Sequence, residues 1–471
     1  MESAGGENLS GVDDILSDTS RSYRSRLQAA SLTELKLLFN LAAPAALAYL
    51  TTFTMAFSTL KLCGHLVDKA AYNWVVNFFQ IVTYTCMLGM SRAVETACGQ
   101  AHGAQKYDVL VTQLQKSIIL LTAAGLPFAA IYIVSSPIMS FLEDEFSPRS
   151  SRFVYGLIPQ IFAYAVYFPV QKFLQAQNIV APSAYISAAA LVLHLILNWV
   201  LIVKLHFGLL GASLTLSFSW WLLAIVQFVY ILRCKYTWRQ LSDFADFGRL
   251  GGGLLARSVL DSMATEFFNF VFSVIPFVVA GTFVNGEGTS AVLGIWVYVI
   301  WLGLSSALST RVSNGLGAGR PEAVQFSVAI AALASFTASL LLAALVVLFS
   351  SHRNNIFIEG SDAPRVLVEL RPFLTFIIVL SSVHPILTGV AVGCGWQLYV
   401  TGIDIGCFYL IGMTLGCLLE FYFQYETGLL LGIVVSGLVR NVILSWMVHR
   451  ADWIQEVNRV RIGVAPWEGQ K

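Results

Sequence analysis

Twelve apolar stretches occupy the chain from Leu35 to Val448 and leave room for little else. They fall at 35–62, 72–94, 116–142, 153–175, 183–204, 209–233, 256–281, 290–310, 325–350, 370–392, 398–420 and 427–449. Wound as a helix, each matches a hydrocarbon layer about 30 Å thick. Hydrophobic residues make up 57% of the sequence and charged residues 12%, about half the charge of a soluble domain. A surface that meets water has no use for so apolar a chain. A bilayer requires every backbone polar group to be satisfied inside the protein, which leaves helices and closed barrels. These stretches are too long for barrel strands and do not alternate in polarity. The fold expected is an all-α polytopic membrane protein with twelve transmembrane helices.

The basic residues indicate an orientation. With the N-terminus in the cytosol, nineteen of the 28 Lys and Arg fall on cytosolic segments and eight outside, with Arg440 inside the last span. Arg92, Lys106, Lys116, Lys172, Arg311 and Arg320 are among the nineteen. This is the bias of the positive-inside rule and places both termini in the cytosol. The net charge of +1 says nothing further about partners, and nothing in the chain suggests nucleic-acid binding. The first thirty residues lack the apolar core of a cleavable signal. A solvated, untethered tail is expected there, although Val12–Leu16 also has the look of a sorting signal. The seven cysteines are scattered without metal-ligand or disulfide spacing.

Two short joints copy each other. Ala93–Lys106 reads AVETACGQAHGAQK and Ala307–Arg320 reads ALSTRVSNGLGAGR. Set 214 residues apart, Ala93/Ala307, Thr96/Thr310, Gln100/Asn314, Gly103/Gly317, Ala104/Ala318 and Lys106/Arg320 coincide in identity or type. Pro169 and Pro385 make a second echo in spans four and ten. Two matches at nearly one offset argue for a duplicated six-helix set. Six is even, so both halves enter the membrane the same way, and a pseudo-two-fold axis along the membrane normal relates two six-helix lobes. The expected organisation is a cytosolic tail over 1–34, an N-lobe over 35–233, a cytosolic linker over 234–255, a C-lobe over 256–449 and a cytosolic tail over 450–471. The glycine-rich joints are no nucleotide sites, since no strand precedes them and no GxxxxGK[ST] occurs. Tight turns between neighbouring helices are the simpler role.

Ionisable groups at bilayer depth are expensive, so each is a functional candidate. Glu266 stands in span seven within ATEFFNF, with Asn269 on the same helical face. Desolvation penalises its anion, which suits such a carboxyl to taking and releasing a proton. The competing role is an interhelical hydrogen bond. Asp261 and Asp404 are weaker candidates, while Glu95 and Glu420 are placed near span ends as caps or loop ties. His194 and His384 read as packed interhelical donors. Arg440 reads as snorkelling or paired with a helix end. Pro44, Pro169, Pro276 and Pro385 each interrupt a span.

The motifs ELKLL…LAAPA, CGHL, AVETACGQAHGAQKYDVL, FVYGLIPQIFAYAV, QKFLQAQNIVAPSAYISAAALVLH, STRVSNGLGAG and GVAVGCGWQ run through both halves. On these the chain resembles the multidrug and toxic-compound extrusion (MATE) transporters of plant type. VYGLIPQIFAYAV and GVAVGCGWQ look most like the vacuolar flavonoid-type subgroup. The resemblance implies proton-driven antiport of organic solutes, and it implies that Glu266, followed by Phe267 and Phe268, is the proton-coupling residue. The chain departs from the pattern where Ser381 stands in place of an acidic residue in span ten and Val392 in place of an arginine.

The function expected is therefore a secondary active antiporter exporting organic solutes, flavonoids and other secondary metabolites or xenobiotics, from the cytosol in exchange for protons. Alternating access between the lobes would move them. Asn77, Gln80, Tyr84, Gln171, Phe267, Asn269, Tyr298 and Trp301 are the candidate substrate-cavity residues. Their aromatics suit stacking on planar solutes and their amides and hydroxyls suit hydrogen bonding. The vacuolar membrane is the expected location, with the plasma membrane as the alternative, and a monomer is expected to suffice. The rival reading is a passive channel or lipid scramblase on the same scaffold. Nothing points to an enzyme, a catalytic residue, a cofactor or a metal.

Overall fold

The computed structural model describes residues 12, 14–20, 22–63, 76–137, 148–233, 289–351, 379–380, 382–423 and 428–464. Among them every regular element is a helix. Eight of those helices are long and apolar enough to cross a membrane. The chain is an integral membrane protein.

Helix α1 runs over Tyr23–Cys63 with Pro44 inside it. A π-helical turn over Val76–Ile81 leads into α2, Val82–Gly103. Then come α3 (Tyr107–Ile133), α4 (Pro148–Gly156), α5 (Ile158–Ala176) and α6 (Ala181–Asn198, continued as a π-helix to Lys204). Helix α7 is Gly208–Arg233, α8 Thr289–Gly317 and α9 Pro321–Ser351. Helix α10 is Val383–Cys394 and α11 Gln397–Ile405, the latter carried on by π-helical and α-helical turns to Tyr422. Helices α12 (Gly428–Arg450) and α13 (Trp453–Val464) close the described chain. Span seven, over 256–281, and the expected linker over 234–255 lie outside the described residues.

Two compact units emerge, Leu47–Phe267 with Gly463–Lys471, and Met1–Ala46 with Phe268–Ile462. Helix α1 is shared between them, its division falling two residues after Pro44.

The duplication is visible in the backbone. Helix α2 ends with Gln105 N–H donating to His102 O and Lys106 N–H to Ala101 O, at 2.9 Å each. Helix α8 ends with Gly319 N–H donating to Leu316 O at 3.1 Å and Arg320 N–H to Gly315 O at 3.0 Å. Both are Schellman closures, which require a left-handed residue at the turn, and Gln105 and Gly319 have φ of 57° and 74°. A second pair of turns follows α5 and α10. Asn178 (φ 62°) donates to Gln175 O and Ile179 to Leu174 O, as Gly395 (φ 79°) donates to Val392 O and Trp396 to Ala391 O. The glycine-rich joints are thus tight helix stops, as their composition implied.

Within each unit the motif helix packs on the helix two spans later, α2 on α5 and α8 on α10. Apolar side chains gain little by leaving lipid for one another, so close backbone approach through small residues does the binding. A Cβ at Gly389 would meet Ser305 O at 2.6 Å, and one at Gly393 would meet Ser309 O at 2.9 Å. Spans eleven and twelve use the same device. A Cβ at Gly412 would lie 2.8 Å from Ser436 Cβ, and one at Gly432 would run into Gly412 O.

Several expected features are corrected. Helix α3 starts at Tyr107, directly after the Schellman turn, and not near residue 116. Span ten is broken just ahead of Pro385: residues 379–380 are helical, Ser382 is in a turn, and α10 starts at Val383 with the proline as its third residue, where a helix needs no N–H from it. Pro44 and Pro169 do lie inside helices. In the N-terminal tail Val12 is fully buried, and Arg26 Nη1 donates to Leu16 O at 3.0 Å, a bond within the tail itself.

Candidate functional site

Three clusters of side chains stand out among the described residues of the apolar 47–267 unit. Burying a polar group costs free energy unless it is paired, so such clusters are where a transport protein departs from simple packing. Lys172 Nζ of α5 lies 2.7 Å from Glu95 Oε2 of α2 and donates to Tyr49 OH of α1 at 3.2 Å. All three side chains are buried. Glu95 was expected at a span end. Helix α2 runs on for eight more residues, to Gly103, which puts the carboxylate two turns inside it. Lys172, on a cytosolic segment by the charge bias, is 3% exposed.

The second cluster centres on His194 of α6. Ser219 Oγ lies 2.8 Å from His194 Nδ1 and 2.8 Å from Thr215 O. Nε2 lies 2.7 Å from Asn198 Nδ2, 2.9 Å from Thr59 Oγ1 and 3.1 Å from Met55 O. This ties α1, α6 and α7, and His194 is a packed interhelical donor.

The third cluster is aromatic. Tyr84 of α2 meets the rings of Tyr164 at 5.7 Å, Phe168 at 5.4 Å and Trp220 at 6.1 Å. Tyr164 and Trp220 meet edge to face at 4.6 Å, and Tyr167 reaches Trp220 at 5.1 Å. Edge-to-face rings of this kind gain about 0.5–1.5 kcal/mol beyond burial. Gln80 and Gln160 hydrogen-bond the Tyr164 hydroxyl. Tyr132 OH donates to Phe79 O at 2.7 Å. Among the described residues, Trp220 Nε1 and Gln171 Oε1 are buried without a partner.

Of the candidate cavity residues, Gln80 and Tyr84 thus come together around Tyr164, and Gln171 lies one turn beyond Phe168 on α5. Trp301 is buried on α8 in the other unit. Tyr298 stands on the same helix, and Asn77 lies in the π-turn before α2. Glu266, Phe267, Asn269 and Ser381 lie outside the described residues. Tyr164, Trp220 and Tyr167 escaped the sequence reading. The signal for them was the aromatic run FAYAVYF, in which Tyr164, Tyr167 and Phe168 fall on one helical face.

The 268–462 unit has its own buried charges. Arg311 of α8 holds Glu34 of α1 in a bidentate pair, Nε to Oε1 at 2.9 Å and Nη2 to Oε2 at 2.6 Å. Ser327 of α9 donates to the same carboxylate at 2.6 Å. Arg440 Nε lies 3.8 Å from Asp404 Oδ1, which pairs spans twelve and eleven. Glu420 accepts from Leu429 N–H at 3.3 Å, a tie across the turn between the same spans.

Comparison with known proteins places this architecture. The MatE family model matches residues 44–200 and 288–418. Protein DETOXIFICATION 36 of Arabidopsis thaliana is 39% identical over 99% of this chain and 95% of its own length. Protein DETOXIFICATION 37 of Arabidopsis thaliana is 40% identical over 97% and 93%. The crystal structure of the eukaryotic MATE transporter AtDTX14 superposes with a TM-score of 0.82 at 26% identity, covering 92% of this chain and 99% of that one. An outward-facing multidrug resistance MATE family transporter shares the fold with a TM-score of 0.76. All of these are similar along both halves of the duplication, and on them the chain belongs to the MatE family: it is a membrane transporter, not an enzyme.

Proposed function

We propose that the protein is a proton-coupled antiporter that exports organic solutes from the cytosol by alternating access, at the vacuolar membrane. The observation that carries the reading is Glu266-Phe267-Phe268, a carboxylate amid aromatics in an apolar span of a MatE chain. Proton binding at Glu266 removes the charge that its polar contacts rely on, so solute is released on the acidic side. On the cytosolic side the anion re-forms and favours loading. Each proton supplies about 1.4 kcal/mol per pH unit, enough to bias a two-state balance but not to saturate it.

The solute class proposed is planar and polyhydroxylated, such as a flavonoid glycoside. Support comes from the buried rings of Tyr164, Phe168 and Trp220 and the half-buried ring of Tyr84, with the amides Gln80, Gln160 and Gln171 beside them. Rings offer faces to a planar solute, and amides pair with its hydroxyls. Uptake of a flavonoid glucoside into acid-loaded proteoliposomes tests the reading. It is expected to collapse with a protonophore. Downhill flux indifferent to pH would instead indicate a passive pathway.

A further inference from the structure

We propose that Glu95 is a second proton-carrying carboxylate of the transport cycle, held in the 47–267 unit by Lys172 and Tyr49. The inference rests on the antiport reading above and adds a site to it.

The duplication supplies the first argument. The residue 214 positions after Glu95 is Ser309, buried in α8 ahead of the same Schellman turn. The turn and the helix packing are therefore achieved in the other half with no charge at this position. A buried ion pair is a poor source of stability, since desolvation offsets most of its attraction. Glu95 and Lys172 thus add something the shared architecture does not require.

The second argument is the bonding of the carboxylate. Oε2 takes the Lys172 ammonium at 2.7 Å. Oε1 is buried and has no hydrogen-bond partner among the described residues. A proton can arrive on Oε1 without displacing any bond. The ammonium meanwhile keeps its bond to Tyr49 OH, 3.2 Å away. Neutralising Glu95 weakens the tie between α2 and α5 and leaves the tie between α5 and α1 in place. The titratable and charged neighbours are Lys172 of α5, Tyr49 of α1, Lys116 buried on α3, and Arg92 one turn earlier on α2 itself.

The third argument is the departure at Ser381. Span ten lacks the carboxylate that the resemblance leads one to expect, which leaves Glu266, beside the weaker candidates Asp261 and Asp404, in that half. Glu95 restores a second carboxylate, one in each half of the duplication. Each would load its proton from the acidic side and lose it to the cytosol, so two protons move against one solute.

The test is an equilibrium measurement on the full-length protein in liposomes, voltage-clamped, with a neutral impermeant flavonoid glucoside as probe. Two protons per neutral solute give about 100-fold accumulation per pH unit and one gives about 10-fold, because each proton contributes a factor of ten. The wild type is expected near 100-fold, and the charge-neutral double variant Glu95→Gln/Lys172→Met near 10-fold. A wild type at 10-fold overturns the proposal, and so does a folded double variant that keeps the wild-type ratio. Should the double variant fail to fold, the wild-type ratio alone decides. The single variant Glu266→Gln separates the two ideas: accumulation indifferent to it and to a protonophore removes the antiport reading, and the Glu95 assignment with it.

Discussion

Gln105 and Gly319 hold the same left-handed backbone, φ 57° and 74°, at the same point of two helix stops 214 residues apart. One copy uses glycine, for which this conformation is free. The other holds a residue with a Cβ, which costs about 1–2 kcal/mol there. Gly319→Ala should lower stability by about 1 kcal/mol from backbone strain. Space is not the obstacle, since the nearest atoms to an added Cβ are 3.7 Å away. Gln105→Gly should be neutral or raise the melting temperature slightly, because relief of strain competes with the entropy of glycine. Thermal unfolding in detergent reads both, and equal effects of opposite expectation would contradict the account.

Glu34 and Arg311 predict strong non-additivity. Removing either partner leaves a buried charge uncompensated, so Arg311→Met and Glu34→Gln should each cost about 3–5 kcal/mol. The double variant should recover most of that loss, because two neutral side chains carry no such penalty. A double-mutant cycle measured by thermal unfolding or folded yield checks this. Additive losses would mean that the bidentate geometry at 2.6 and 2.9 Å is not what these side chains contribute.

The glycine seam between spans eleven and twelve should be intolerant of one methyl group. Gly412→Ala places a Cβ 2.8 Å from that of Ser436 and should cost about 1–3 kcal/mol by overpacking. Gly402→Ala, in the same span, meets nothing within 4 Å and should be neutral or stabilise by up to about 1 kcal/mol through helix propensity. The difference between the two melting temperatures is the measurement. Similar values would show that the seam is looser than described.

His102, in the last turn of α2 outside the apolar stretch, should make the fold sensitive to acid. Burial lowers its pKa from the ordinary value of 6.5. The unfolded chain therefore binds a proton in a window where the folded one does not, and stability falls as pH drops below about 6.5. His102→Gln should flatten the dependence of melting temperature on pH between 7.5 and 5.5. An unchanged slope would assign the sensitivity elsewhere.

Much of this was legible in the chain. Span length and apolarity gave the helical membrane fold, because a bilayer allows so few alternatives. The repeat was legible because Ala, Thr, a carboxamide, Gly and a basic residue recur at one offset, although the left-handed positions hold Gln105 and Asn178 in one half and Gly319 and Gly395 in the other. Depth was not. Glu95 sits beside a loop motif in sequence, but α2 extends to Gly103 and draws it inside. Lys172 and Arg311 fall on cytosolic segments by the charge bias, but charge alone does not reveal a partner more than seventy residues away, and each is buried against a carboxylate. Helix α13 was also overlooked inside the polar tail. Its buried stripe, Trp453, Val457 and Val460, is only three residues long and is surrounded by charge.

The central claim is proton antiport through Glu266, and solute accumulation against pH in proteoliposomes tests it most directly. The wild type should accumulate a flavonoid glucoside in the acidic lumen and lose that accumulation with a protonophore, and folded Glu266→Gln protein should accumulate at least about ten-fold less per pH unit. Accumulation by Glu266→Gln equal to wild type, or wild-type flux unaffected by the protonophore, would contradict the account.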